Sequence, residues 1–335
     1  MGRVVGWAVT LLLAVAAVIS LDPARVGLST VVPVAQVLPF RTVLAAAFVL
    51  AGLALLLAAL AGALRRRGGT RRTVLAAVLL LVGAGHGWVT LDRGVTNDGA
   101  LGAEPGAADI TVLTLNTYGG ASSAEEVAVA AVDVGADVLT LPETAADDAA
   151  RVAALIASSG GPTFQVFVRT SGGWDARSTA LLVSERLGRY AEAEGPGTTL
   201  GSVRAEPVDG AGPVLVAVHP VAPVAEAMEE WEADLEAVME VCRATPGVIV
   251  AGDFNATLDH GPMRDAGACV DGAVAAGVGG VATWPARLPA LVGTTIDHVL
   301  VDGGAFDVVD GAVLEVGGSD HRAVAVRMAP RPAAR

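Results

Sequence analysis

Three stretches without a charged side chain, Val4 to Leu21, Thr42 to Leu64 and Thr73 to Leu91, constrain this chain most. They are 18, 23 and 19 residues long. A helix rises about 1.5 Å per residue, so about 20 apolar residues cross the roughly 30 Å hydrocarbon layer of a bilayer. We read them as three transmembrane helices (about 4–21, 42–64 and 73–91) forming an N-terminal bundle within residues 1–93. A further uncharged run, Val26 to Phe40, has only 15 residues and contains Pro33 and Pro39, which points to an interfacial segment or outer loop.

Arginines set the orientation. The loop between the last two spans reads Arg65-Arg66-Arg67-Gly68-Gly69-Thr70-Arg71-Arg72, and short basic loops stay in the cytoplasm. Three spans then leave the N-terminus inside and everything after Leu91 outside, in a multi-pass cell-membrane protein. The alternative for the first stretch is a signal peptide, but Ser20-Leu21-Asp22 is a poor cleavage site, so we read a retained helix. His86 is the one ionisable residue within the spans, too few for a transport pathway.

The charge splits sharply. Residues 1–96 carry 9 Arg against Asp22 and Asp92, a balance of +7, while the rest carries 13 Arg against 33 acids, or −20. So acidic a region lacks the basic footprint of a general nucleic-acid binder. Residues 94–108, rich in Gly, Ala and Asp, read as a flexible linker, 109–328 as one globular domain and 329–335 as a disordered tail.

Within the domain, short apolar runs alternate with helical patterns. Ile110–Leu115, Asp137–Leu141, Ala180–Val183, Val214–Val218, Val248–Ala251, Asp297–Val301 and Ala323–Val326 read as buried strands. Helices are expected from a Ser122 or Ser123 cap to Val134, over Ala145–Ala157 and over Val224–Cys242. The mixture is an α/β sandwich. Cys242 and Cys269 both fall in the expected outer domain, where a disulfide is permitted, and two free thiols remain the alternative.

Polar residues recur at strand ends: Asn116, Glu143, His219, Asp253 and Asn255, then Asp297 opening a strand and Asp320 and His321 just before the last one. Singly, each is what a turn or cap uses. Together, oxygen donors suit a hard cation such as Mg²⁺ or Mn²⁺, and histidines beside carboxylates suit proton transfer near neutral pH. An acidic site takes a phosphate once a metal inverts the local field, so the set points to phosphoester hydrolysis.

Thr114-Leu115-Asn116, Leu141-Pro142-Glu143-Thr144, Val218-His219-Pro220, Gly252-Asp253-Phe254-Asn255, Ile296-Asp297-His298-Val299 and Ser319-Asp320-His321-Arg322 stand in the order and rough spacing of the endonuclease/exonuclease/phosphatase superfamily. The chain from about Ile110 to Arg327 resembles that superfamily, and its apolar front resembles membrane-anchored bacterial members. The resemblance implies a four-layer α/β sandwich of the DNase I type and a metal-dependent phosphoesterase. It implies that Glu143, helped by Asn116, holds the divalent metal, with Asp320 completing the metal or phosphate environment. His321 would be the general base, oriented by Asp297. Asp253 and Asn255 would position nucleophile or phosphate, and His219 would donate to a phosphate oxygen. Pro142 stands where the family commonly has Gln.

The tether favours a lipid headgroup or small phosphodiester as substrate, with the bilayer as partner and no obligate nucleic acid. One alternative is an extracellular nuclease, which needs a groove lined by arginines such as Arg169, Arg177, Arg204 and Arg322. Another is a silent anchored domain that binds a phospho-ligand or a partner. His260 reads as a loop residue, His298 is open between site and strand, and Trp174 and Trp284 either line a rim or pack.

Overall fold

A computed structural model of the chain describes residues 2–65 and 69–332. Arg66, Arg67 and Gly68 of the basic loop, and residues 333–335 of the expected tail, lie outside the described residues. The chain divides into two compact units, Met1–Asp92 and Arg93–Arg335.

The first unit is helical: α1 (Gly2–Ile19), a one-turn α2 (Val34–Val37), α3 (Arg41–Leu64) and α4 (Thr70–Asp92). Among the described residues, length and composition qualify two helices, α3 and α4, as long and apolar enough to cross a membrane, not the three expected. The described apolar part of α1, Arg3–Ile19, spans only about 26 Å at the helical rise. The proline-bearing segment does not form a long helix, as its prolines dictate. Large apolar side chains cover the outside of all three long helices, among them Leu12, Leu50, Leu57 and Leu81. Gly83 lets α4 approach α3 closely, since a Cβ there would stand 2.8 Å from Val49 Cγ2. Between the helices lies a buried polar cluster. His86 Nε2 lies 3.1 Å from Ser20 Oγ just past the end of α1, and Arg41 Nη1 lies 3.1 Å from His86 Nδ1.

The second unit contains two six-stranded mixed sheets. β1 (Ile110–Thr114), β2 (Val138–Pro142), β3 (Phe164–Thr170), β4 (Ser178–Ser184), β11 (Phe306–Leu314) and β12 (Ala323–Pro330) form one, ordered β11-β12-β1-β2-β4-β3. The other contains β5 (Tyr190–Ala193), β6 (Val203–Pro207), β7 (Val214–Val218), β8 (Val248–Asp253), β9 (Cys269–Asp271) and β10 (Asp297–Asp302), ordered β5-β6-β7-β8-β10-β9. Alternation along the central strands buries both faces. Val112 and Val138 point into the core between the sheets with Ile249 and Val299, whereas Leu113 and Leu139 point to the helices α5 (Ala124–Val134) and α6 (Ala146–Ser158). On the far side, α7 (Met228–Ala244) buries Trp231, Leu235, Val238 and Met239. A short α8 (Gly272–Ala275), capped by Asp271, follows β9. The result is the expected α/β sandwich.

The expected helix at Ser123 is fixed by a capping box: Ser123 Oγ accepts from Glu126 N, and Glu126 Oε2 accepts from Ser123 N. Residues 94–108, expected as a tether, have neither helix nor strand but are held along the domain. Arg93 grips Asp259 with both guanidinium nitrogens, at 2.6 and 3.0 Å, and Asn97 exchanges two hydrogen bonds with Val313. At the other end β12 runs to Pro330, so Ala329 and Pro330, placed in the expected tail, pair with Asp307 and Phe306. Cys242 and Cys269 form a disulfide joining α7 to β9.

Candidate active site

Topology explains why distant residues meet. β1 and β2 are parallel, as are β7 and β8, so the residues after their carboxyl ends share one edge of the sandwich. β12 and β10 run antiparallel to β1 and β8, which brings the residues at their amino ends to that same edge. In the β8–β10 register Asp297 stands directly opposite Asp253. Gly252 permits the approach of β8 to β7, because a Cβ there would stand 2.0 Å from Val218 O.

Asp253 is the hub. Its Oδ1 accepts from Asn255 N at 2.8 Å, its Oδ2 accepts from Asn116 Nδ2 at 3.0 Å, and the Nε2 atoms of His219 and His321 both lie 3.7 Å from that Oδ2. Asn116 Nδ2 also donates to Glu143 Oε1 at 3.1 Å. His321 Nδ1 lies 2.9 Å from Asp297 Oδ2, and its Nε2 lies 3.8 Å from Asp320 Oδ1. All eight residues singled out from the sequence are therefore brought together. The Asn255 side chain, however, donates to Pro220 O at 3.0 Å, tying its loop to the His219–Pro220 turn.

Only three described non-glycine residues have positive φ, Tyr118 (55°), Glu143 (58°) and Asn255 (48°), and all belong to this site. Left-handed backbone at such residues is costly and concentrates where function demands it. The Pro142 carbonyl, next to Glu143, accepts from Thr117 N at 3.1 Å, so proline leaves the turn intact.

Burial shapes the electrostatics. It raises the Glu143 pKa, and the nearby Asp253 carboxylate adds to the rise against the Asn116 hydrogen bond. Burial likewise raises Asp253, and it lowers His219, favouring a neutral imidazole. Burial alone would lower His321 too, but Asp297, Asp253 and Asp320 together push it up to about 10. Such a ring keeps its proton unless the negative field around it is offset.

The donor set fits a divalent cation. Asp253, Asp297 and His321 each offer one ligand atom within 4.8 Å of one another, but His321 Nδ1 already lies on Asp297 Oδ2, so a cation that leaves that pair intact falls to Glu143 and Asp320 beside them. Asp297 Oδ1 and Asp320 Oδ1 are buried without a hydrogen-bond partner, acceptor capacity that a cation would use. Asn116, expected to help hold the metal, turns its amide nitrogen to the two carboxylates and its Oδ1 to Tyr118 N, so it orients Glu143 in this arrangement.

Several residues were missed from the sequence. Trp284, weighed there as rim or packing, donates its indole N–H to Asp320 Oδ2 at 3.0 Å. Thr283 Oγ1 accepts from Ile296 N and Asp297 N, and Ser319 Oγ donates to Asn116 O while accepting from His321 N. Tyr118 is 56% exposed beside Asn116, while Tyr190 is buried with its hydroxyl on Pro213 O. His298 is buried behind the site between Asp271 and Ala256 O, and His260 accepts from Thr257 N.

The chain thus combines a two-sheet sandwich with a carboxylate and histidine cluster at the shared strand edge. The profile of the Endonuclease/Exonuclease/phosphatase family matches residues 113–321, and the chain belongs to that family. Solved structures share the fold. The human nocturnin catalytic domain, solved with bound sulfate, is 15% identical over 68% of this chain and 96% of its own, with a TM-score of 0.51. A humanized D. rerio TDP2 carrying 14 mutations is 16% identical over 66% and 99%, with a TM-score of 0.50. A family protein from Bacteroides thetaiotaomicron is 14% identical over 68% and 98%, also at 0.50. No curated protein matches the sequence.

Proposed function

We propose that the chain is a membrane-anchored, extracytoplasmic, divalent-metal-dependent phosphoesterase acting on a lipid headgroup or small phosphodiester. The observation that carries this reading is the His321–Asp297 pair facing Asp253 across from the Asn116–Glu143 arm. With its Nδ1–H donated to Asp297, His321 leaves Nε2 to accept a proton from water. The water oxygen attacks phosphorus, the bond to the leaving oxygen breaks, and that oxygen takes up a proton. Neutral His219 donates Nε2–H to a phosphate oxygen, and Asp253, fixed by the Asn255 backbone N–H, holds the attacking water in line with the phosphate. A divalent cation such as Mg²⁺ or Mn²⁺ would be held by Glu143 and Asp320, and would supply charge neutralisation at the phosphate and offset the field that keeps His321 protonated.

Anchoring rests on α3 and α4, and the basic loop between them supports an outside position for the chain after α4, whether or not α1 crosses completely. The Cys242–Cys269 disulfide supports an oxidising compartment. Three of the four arginines named for the nuclease alternative are engaged by acids: Arg322 with Glu315, besides Ala286 O and Leu288 O, Arg169 with Glu192 and Arg204 with Glu206, whereas Arg177 donates to Thr199 O. The test is product analysis with the full-length chain in detergent, comparing phospholipid vesicles, soluble phosphodiesters and plasmid DNA. Faster hydrolysis of lipid or small diesters, insensitive to salt, agrees with this reading. Preference for DNA that falls steeply with salt selects the nuclease.

A further inference from the structure

The membrane-type unit carries a second site, remote in sequence from the catalytic cluster. At the amino-terminal ends of α1 and α4, a cavity of about 430 Å³ is lined by Arg3, Trp7, Gly69, Thr70, Arg71 and Arg72. The two helices run side by side in the same direction, since Ser20, just past the end of α1, meets His86 near the end of α4. Both helix dipoles thus turn their positive ends towards the cavity. Arg71 lies so close over α1 that a Cβ on Gly6 would collide with its guanidinium, so glycine there is what admits the side chain.

Nothing balances this charge from within the unit. Its acids are Asp22 and Asp92, both at the opposite ends of these helices. Among the described residues, none pairs with Arg3, Arg71 or Arg72. Trp7, 44% exposed, adds an amphipathic ring of the kind that sits at headgroup depth.

We propose that this pocket binds the phosphate of an anionic phospholipid headgroup. The argument rests on the reading of α3 and α4 as membrane-spanning, with α1 lying along α4 in the same direction. Within that reading the arginine-bearing end lies level with the headgroups of the cytoplasmic leaflet, where anionic lipids are held by such clusters. A net-negative headgroup offsets three arginines and two helix ends, whereas the choline of a zwitterionic lipid is repelled by them.

The test uses the full-length chain. An alkaline wash of isolated membranes comes first, and release of the chain contradicts both the anchoring and this inference. The detergent-purified protein is then offered equal amounts of phosphatidylglycerol and phosphatidylcholine and examined by native mass spectrometry. The expected result is selective retention of phosphatidylglycerol, lowered roughly tenfold or more in the Arg71→Gln/Arg72→Gln double variant. Gly6→Leu, which keeps every charge but displaces the Arg71 guanidinium, is expected to lower retention as well. Equal retention of the two lipids by the unaltered chain overturns the inference, and so does unchanged selectivity in both variants. Inorganic phosphate is the remaining arm: if it binds alone and fully displaces the lipid, the pocket takes a free anion and the lipid assignment fails.

Discussion

His321 Nδ1 lies 2.9 Å from Asp297 Oδ2, and Asp297 stands opposite Asp253 in the β8–β10 ladder while Asp253 Oδ2 faces the other ring nitrogen at 3.7 Å. One imidazole is thereby fixed in direction and surrounded by negative charge. Asp297→Asn keeps the size of the side chain but no longer favours the imidazolium formed when water gives up its proton. We expect kcat to fall by on the order of a hundredfold to ten-thousandfold with KM little changed, and His321→Ala to fall at least as far. Steady-state kinetics on a soluble phosphodiester checks this, and a change confined to KM would contradict the assigned roles.

The same pair makes stability depend on pH. His321 is raised from about 6.5 unfolded to about 10 folded, so its contribution is fully present below the unfolded value and is lost as pH rises through about 10. In metal-free protein, the melting advantage of the unaltered chain over His321→Gln should therefore be largest near pH 6 and shrink steadily towards about pH 10. Thermal unfolding of both across that range measures it. An advantage that grows with pH would contradict the ion-pair account.

The strands legible in the sequence were those buried on both faces. Val138–Pro142 and Val248–Asp253 are dominated by apolar residues, Thr140 and the terminal Asp253 apart, because helices cover one face and the opposing sheet the other. The strands not read include all four sheet edges, β11, β3, β5 and β9, and the half-exposed β6. Their residues, as in Tyr-Ala-Glu-Ala of β5, answer to one neighbour and to solvent, so no apolar run marks them. The site was legible for a related reason: Asn116, Glu143, His219 and Asp253 each follow a buried strand, and polar residues stand out there. Contacts between segments, such as Trp284 with Asp320 or Thr283 with the Asp297 backbone, have no local signature.

The Cys242–Cys269 bridge spans 27 residues between α7 and β9. Removing it by the double substitution to Ser should cost about 3–4 kcal/mol through the freer unfolded chain. Chemical denaturation of the full-length protein with and without the bridge measures this, and an unchanged midpoint would mean that the bridge does not constrain the fold.

Tyr118 combines exposure, left-handed backbone and a hydrogen bond from its N–H to Asn116 Oδ1. An exposed ring two residues from Asn116 is a candidate to rest against a substrate. Tyr118→Ala should raise KM severalfold and leave kcat within about twofold, the pattern of lost uniform binding. A fall in kcat alone would instead assign the residue to holding Asn116.

The proposed outside placement of the domain rests on the basic loop before α4. A reporter that is active only outside the cytoplasm, fused after Arg335, should be active in cells, and substituting Arg71 and Arg72 by Glu should reduce that activity. An inactive reporter on the unaltered chain would place the domain inside.

The central claim is that the cluster around Asp253 hydrolyses phosphoesters with a divalent cation. Its most direct measurement is turnover of bis-p-nitrophenyl phosphate by the full-length chain in detergent, with Mg²⁺ or Mn²⁺ and with EDTA, beside Glu143→Gln and His321→Ala. The account predicts metal-dependent release of nitrophenolate that EDTA abolishes and both substitutions reduce by at least about a hundredfold. Turnover that survives EDTA, or that persists in both variants, would contradict it.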